Sequence, residues 1–412
     1  MKSAERRLKY CVKRPIKNGI GAAAEYDNPA WPRYVRITDI KGPRTLRDDT
    51  FMSLPPEQAV EAPFDVGDIL AAAVGATFGK TYLHTKDIGP AAFAGYLVRI
   101  SPSPDFDGRF VAYWSESGHY WDQVNTSVVQ STIQNFSAAK YAELRLPTPL
   151  LETQRAIANY LDRETSRLDA LVAAKERVLG LLAEKRRALI TCAVTRGLDP
   201  HAPLRDSGIS WLGEIPAHWE IERARWLFRE RDQRSETGEE ELLTVSHLTG
   251  VTPRSEKDVN MFEAETTEGY KICLSGDLVI NTLWAWMGAM GVSRVSGIVS
   301  PAYNVYQPGA RFELSYVDTL VRLPVFAQEV TRYSKGVWSS RLRLYPEGFF
   351  EVFLPVPSLR EQREIVSHVA REIGKLDELR AAIERTTALL KERRAALVAA
   401  AVTGQIDLEG AE

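Results

Sequence analysis

The chain has 412 residues, too many for one ordinary core, and their number suits two globular units plus connectors. Hydrophobic residues make up 44% and charged residues 26%, the composition of a folded protein with a core of its own, not of a disordered chain. The formal net charge is −2, so bulk charge lends nothing to nucleic-acid binding, and any such role must rest on local basic surfaces.

From the N-terminus, Met1–Tyr10 is charged and lacks the apolar core of a signal peptide. No later apolar run approaches the roughly 18 residues that span a bilayer, so no membrane role and a cytoplasmic location are expected. Period-two alternation over Tyr34–Ile40 predicts a strand, and Gly67-Asp68-Ile69-Leu70 a turn into a second one. A polar stretch from Gln123 to Lys140 follows, and alternation returns at Glu143–Leu146. Residues 1–150 thus read as one mixed α/β head. Residues 151–196 read as a long helix, with Ile157, Leu161, Leu168, Leu171, Val178, Leu182 and Leu189 at coiled-coil spacing. A linker at 197–208, rich in Pro, Gly, Asp and His, leads to a second head over 209–357. Its landmarks are Leu243–Leu248, Gly276-Asp277-Leu278-Val279 and the apolar run Asp277–Ile280. Residues 358–412 form a second long helix and tail, with Ile365, Val369, Leu376, Leu379, Ile383, Leu390 and Leu397 in the seam.

The chain is written twice. Shifted by 208 residues, Leu146-Pro147-Thr148-Pro149 falls on Leu354-Pro355-Val356-Pro357, Gln154-Arg155 on Gln362-Arg363, and Leu168-Asp169 on Leu376-Asp377. Ala193-Val194-Thr195 likewise falls on Ala401-Val402-Thr403. No gap is needed through the helices, whereas the heads match only in pattern. Such a repeat means one fold used twice. Some forty helical residues at about 1.5 Å each make a rod near 60 Å, longer than the face of a small domain. That favours a coiled coil over two amphipathic helices packed on separate cores. In an antiparallel pairing, Glu164 opposite Arg393 and Lys185 opposite Glu372 would give the charged seam positions partners of opposite sign.

These residues resemble the specificity subunits of type I restriction-modification systems. The resemblance is carried by Tyr34-Val35-Arg36-Ile37-Thr38-Asp39-Ile40, both Gly-Asp-hydrophobic turns, the Leu-Pro-x-Pro segments leading to Gln-Arg, and Ser300-Pro301-Ala302-Tyr303-Asn304-Val305. Its most specific piece is Ser207-Gly208-Ile209-Ser210-Trp211-Leu212-Gly213-Glu214-Ile215-Pro216-Ala217-His218-Trp219-Glu220, which looks like that family's lead-in to a second recognition domain. The first head departs from the pattern: it has no such lead-in and begins near Leu8, as expected of a short start or a trimmed head. The resemblance implies an α/β (α+β) fold with two target-recognition domains alternating with two long helices, which pair as an antiparallel coiled coil with a pseudo-twofold repeat. Each head would read one half of a split double-stranded DNA site, and the helices would hold the heads apart. The implied partners are two methyltransferase (modification) subunits and motor-nuclease (restriction) subunits. S-adenosylmethionine and ATP would bind to those partners, leaving this chain non-catalytic and without a cofactor.

Two stretches imitate enzyme motifs. Gly19-Ile20-Gly21-Ala22-Ala23-Ala24 is preceded by a basic, proline-containing segment instead of the strand that a cofactor loop needs. Asn28-Pro29-Ala30-Trp31 imitates an amino-methyltransferase motif but lies too close to the first for βα units to intervene. Cys11, Cys192 and Cys273 are far apart, and the six histidines show no ligand spacing, which excludes a patterned metal site. No Ser-His-Asp set stands out. A single-chain methyltransferase and a coiled-coil adaptor that never touches DNA are the competing readings.

Base reading needs polar groups on loops with Lys or Arg beside them for phosphates. The candidates are Lys41, Arg44 and Arg47 after the first strand motif, and Thr77, Lys80 and Tyr82 beyond the first Gly-Asp turn. Asn125, Ser127 and Gln130 lie in the amide-rich stretch, which reads equally as a plain polar loop. In the second head they are Arg254 and Lys257, then Trp284 and Trp286. The acid-free stretch of Arg332, Tyr333, Lys335, Trp338, Arg341 and Arg343 completes the set; its alternative is a solvated helix face.

Overall fold

A glycine that must take a left-handed conformation and a buried aspartate after it set the register of each central sheet. In the computed structural model, which describes residues 4–128, 135–256, 266–336 and 342–406, the chain divides into two units. Unit 1 is Met1–Arg177 with Ile383–Glu412, and unit 2 is Val178–Ala382.

In unit 1, β1 (Glu5–Arg7), β2 (Lys17–Asn18), β3 (Ile69–Ala72), β4 (Thr81–Leu83), β5 (Leu97–Ile100) and β6 (Arg145–Pro147) form two antiparallel groups. The main sheet has the order β2-β5-β3-β4, and β1 pairs with β6. Gly67 takes φ +92°, and its N–H donates to His84 O at 2.8 Å. The buried carboxylate of Asp68 accepts from the Asp65 N–H at 3.0 Å, so β3 starts from a fixed corner. The strand expected over Tyr34–Ile40 is broken. Arg33–Val35 pairs in parallel with Ala91–Phe93, and Ile37–Asp39 is a 3-10 turn. The Asp39 carboxylate takes the Arg36 N–H at 2.7 Å and binds its guanidinium as well, a local bond that competes with a continued ladder. Helices α1 (Gly108–Glu116), α2 (Gly118–Val128) and α3 (Ala138–Glu143) cover the sheet. Their Phe110, Trp114, Tyr120 and Tyr141 fill the core.

Unit 2 repeats the plan with β7 (Glu220–Arg223), β8 (Phe228–Glu230), β9 (Leu278–Asn281), β10 (Met290–Val292), β11 (Tyr303–Pro308) and β12 (Phe353–Val356). The sheet order is β8-β11-β9-β10, and β7 pairs with β12. Helices α4 (Leu314–Val321), α5 (Pro324–Arg332) and α6 (Pro346–Glu351) stand where α1–α3 stand in unit 1. The Trp211–Trp219 lead-in is structural: Leu212, Ile215 and Trp219 are buried in this core. His218 and the Trp219 indole N–H both reach Glu361 Oε1, at 2.7 and 3.2 Å.

The long helices run Leu151–Arg196 and Leu359–Val402. A fully buried glutamine fastens each to a head. Gln154 donates to Pro149 O and Asp105 O and accepts the Asp107 N–H; Gln362 donates to Pro357 O and Arg311 O and accepts the Glu313 N–H. In unit 1 the start of the first helix (Ile157, Leu161) shares a core with the end of the second (Val398, Ala401, Val402), so the helices run antiparallel there. In unit 2 Ala193 and Val194 share a core with Ile365 and Val369 in the reciprocal arrangement.

The register differs from the expected one. Arg394 Nε lies 3.0 Å from Asp169 Oδ1 within unit 1, and Arg186 pairs with Asp377 within unit 2. These are the same pair carried over by the repeat, and they displace the expected register by six residues. Glu164 instead pairs with its neighbour Arg163, and Glu372 with Arg371 and Lys375, while Lys185 and Arg393 are exposed. Leu171, Val178 and Leu379 also lie outside the seam, at 44%, 40% and 48% exposure. Leu168 and Ile383 are buried as expected, and Thr165 and Thr387 are buried beside them.

Candidate nucleic-acid interface

Each head builds the same exposed corner from three segments. In the second head β9 ends at Asn281, whose side-chain oxygen accepts from the Leu283 N–H at 3.2 Å. A 3-10 turn, Ala285–Met287, then closes on Gly288 at φ +85°. Helix α5 packs on this turn; a Cβ on Gly288 would stand 3.7 Å from that of Ala327. Beyond α5, Lys335 and Arg343 face each other across two backbone hydrogen bonds of 2.9 Å, and Leu344 N–H donates to Thr282 O at 3.1 Å. The structure therefore brings Trp284 and Trp286 together with Lys335 and Arg343. Both cations are exposed. Arg332 is exposed too but held by Ser210 at 2.7 Å and Glu329 at 3.2 Å, and Tyr333 packs partly into the core.

The first head has the equivalent corner. A 3-10 turn, Gly75–Thr77, closes on Phe78 and is followed by Gly79 at φ +79°, and Phe136 N–H donates to Ala73 O at 2.7 Å. It gathers half-buried Thr77, exposed Lys80, and Asn125 and Ser127 from α2. Asn125 is exposed, whereas the Ser127 hydroxyl is taken by Gln123 O at 2.8 Å.

Other candidates fall elsewhere. Tyr82 belongs to the core: it is 4% exposed, its hydroxyl lies 3.0 Å from His84 Nδ1, and burial raises its phenol to about 12. Strand alternation turns it inward, which removes it from any DNA surface. Arg44 is a structural clamp. Its guanidinium meets Asp162 of the first long helix at 2.5 Å and lies 4.5 Å over the Tyr113 ring. Burial opposes ionisation of Asp162, but hydrogen bonds from Arg44, Tyr113 and Arg109 outweigh it and hold the carboxyl below its usual range. Lys41 and Arg47 are exposed around the Ile40–Gly42 and Thr45–Leu46 hairpin, whose Pro43 O accepts from the Leu83 N–H at 2.7 Å. Arg254 is half-buried in the turn Arg254–Glu256 and already engaged. Gln130, Lys257, Trp338 and Arg341 lie outside the described residues.

No cluster of His, Cys, Asp and Glu able to hold a metal occurs among the described residues. Nor, among them, is any helix long and apolar enough to cross a membrane. Two features here were missed in the sequence: the buried glutamines and the left-handed glycines Gly79 and Gly288. The first had a signal, since Gln154 and Gln362 coincide in the repeat. The second had a fainter signal, since Gly79 and Gly288 coincide only at the 209-residue offset that also relates Gly67 and Gly276.

A duplicated head-and-helix scaffold that carries two unlike exposed corners defines a class of two-headed binding proteins. Residues 33–179 match the family described as type I restriction modification DNA specificity domain. That match covers about a third of the chain and likens it to the specificity subunits of type I restriction-modification systems. It is 22% identical over 350 residues to the EcoBI specificity subunit of Escherichia coli, covering 77% of this chain and 70% of that one. It is also 22% identical over 150 residues to the StySPI specificity subunit of Salmonella potsdam, a match spanning 36% of this chain and only 32% of that relative. Two solved structures share the fold. One, from work on complex assembly and conformational transition of the type I R-M system, has a TM-score of 0.69 at 17% identity, covering 98% of both chains. The other, the HsdS subunit of Thermoanaerobacter tengcongensis, has a TM-score of 0.57 at 16% identity, covering 98% of this chain and 97% of that one.

Proposed function

We propose that this chain is the DNA-specificity subunit of a type I restriction-modification complex, reading a bipartite double-stranded target with one head per half-site. The observation that carries this reading is one scaffold built twice with different side chains at the same exposed corner. Constant backbone and variable corner are what two readers of different sequences need, because phosphate contacts position and side chains at base edges specify. The chain brings no catalytic or cofactor site of its own. It directs two methyltransferase subunits, and motor-nuclease subunits where restriction occurs, to the site it has read.

The test is expression of the chain with its methyltransferase partner, followed by sequencing of host DNA for modified adenines. Two short, unlike half-sites separated by indifferent bases are expected. The purified chain alone, given S-adenosylmethionine and DNA, is expected to transfer no methyl group. A continuous motif, or methylation by the pure chain, would overturn this reading.

A further inference from the structure

The two corners are bracketed by the same backbone hydrogen bond, which aligns them by position. Ala72 N–H donates to Lys80 O at 2.8 Å, and Asn281 N–H donates to Ala289 O at 3.0 Å. The enclosed loops are therefore equally long, and each contains a left-handed glycine one residue before its close, Gly79 and Gly288. On this shared frame the first head carries Gly75 and Thr77 where the second carries Trp284 and Trp286.

Trp284 is 50% exposed on a rigid base. Its backbone N–H donates to Asn281 O at 3.1 Å, and its carbonyl accepts from Met287 and Ala289 at 3.0 and 3.1 Å. Trp286 backs its ring, with centroids 6.0 Å apart and planes 28° apart. The Trp286 indole N–H is fixed on Leu283 O at 3.0 Å. A large apolar ring held out toward solvent, rather than folded onto the core, fits a partner that offers apolar surface. The adjoining exposed cations, Lys335 and Arg343, fit a partner that is also an anion. Duplex DNA offers both, as base faces or thymine methyl groups beside phosphates.

Resting on the DNA-reading function above, we propose that Trp284 is a specificity-determining residue of the second head, laying its indole against a base of that head's half-site with Trp286 as its support. The first head, with glycine at the same place, reads its half-site without such a contact. Because the indole is uncharged, its loss removes affinity without releasing fewer counterions. It should therefore leave the salt dependence intact, unlike loss of a lysine.

The experiment uses the full chain in complex with its methyltransferase subunits, and a duplex carrying the bipartite site found by methylome sequencing. Trp284→Ala should weaken binding to this duplex on the order of ten- to a hundred-fold. The slope of affinity against salt should stay at the wild-type value, and a duplex scrambled in the second half-site should bind as it does to wild type. Discrimination at the first half-site should also be unchanged, and Trp284→Phe should restore most of the affinity. Two arms identify the contact. A permanganate-reactive thymine present with wild type and absent with Trp284→Ala indicates stacking on an unstacked base. Loss of the Trp284 effect when uracil replaces thymine indicates the methyl group. A Trp284→Ala complex that keeps the wild-type preference for the cognate over the scrambled second half-site would overturn this proposal alone. A wild-type complex with no preference among duplexes would overturn the DNA-reading function itself.

Discussion

Removing the amide of Gln362 should loosen the junction between the second head and its helix more than any surface change. The side chain is fully buried and satisfies three backbone groups: Arg311 O at 2.8 Å, Pro357 O at 2.9 Å and the Glu313 N–H at 2.8 Å. Gln362→Ala leaves all three without that partner, and each buried polar group so orphaned costs roughly 1–3 kcal/mol. Because water can reach some of them after the change, the lower end applies, about 3 kcal/mol in all. That is a large share of the roughly 5–15 kcal/mol by which a domain is stable. Glu313 also caps α4, accepting the Tyr316 N–H at 2.8 Å, so the loss spreads to that helix. Urea unfolding combined with hydrogen exchange should show amides of Val178–Ala382 losing protection first, with those of the other unit little affected. Gln362→Glu separates polarity from volume. It keeps an acceptor for Glu313 but sets a carboxylate against two carbonyl oxygens, so its defect should ease in acid as protonation restores a donor. Gln154→Ala should repeat the effect in the first unit. A loss below about 1 kcal/mol for Gln362→Ala would refute the argument, since it would mean that these groups find other partners at no cost.

Three further outcomes are expected. Lys335→Ala or Arg343→Ala should weaken DNA binding and lower the salt slope by about one unit each, measured by titration at several salt concentrations; an unchanged slope would return the pair to ordinary solvated surface. Exchanging residues 1–143 for the first head of another specificity subunit should change one half-site only, read by methylome sequencing, and a change in both would refute independent heads. Asp162→Asn should destabilise the first unit near neutral pH. The folded carboxyl lies below its ordinary value, so its contribution is present above the unfolded value of about 3.9 and is lost as pH falls through the folded one. The difference from wild type in denaturant midpoint should therefore shrink below about pH 4, and a difference constant with pH would refute it.

Much of the scaffold was legible because it is written twice. The two helices, the Leu-Pro strands before them and the Gly-Asp corners all coincide in the repeat, and the structure places them in equivalent positions. The strand expected over Tyr34–Ile40 is interrupted for a local reason. Its alternation is real, but Asp39 captures the Arg36 backbone, and a side-chain bond three residues long defeats a pattern two residues long. The candidate interface was legible only in part. Charge and position along the chain selected Lys335 and Arg343, which the fold leaves exposed, and the same criteria selected Arg44, which is committed to Asp162 in the fold. A sequence shows that an arginine is present, not whether an acid on a distant helix has already taken it.

The helix register shows the same limit in its sharpest form. The seam expected from coiled-coil spacing includes Leu171, Val178 and Leu379, which the structure leaves exposed. The true seam admits Thr165 and Thr387, each donating its hydroxyl to its own helix, to Leu161 O at 2.6 Å and Ile383 O at 2.8 Å. Such a threonine costs little to bury, because its polar atom is satisfied within the helix before the helices meet. The information needed was nevertheless present. Asp169 and Asp377, and Arg186 and Arg394, are identical across the repeat, whereas Glu164 and Lys185 correspond to Glu372 and Arg393 with one change of residue. In an antiparallel pair related by a pseudo-twofold, an ion pair that sets the register must occur twice, so both members must be kept in both copies. Arg186 with Asp377 and Arg394 with Asp169 meet that condition. Symmetry, more than hydrophobicity, was the guide to the seam, because the apolar residues of a long helix outnumber the places where its partner can cover them.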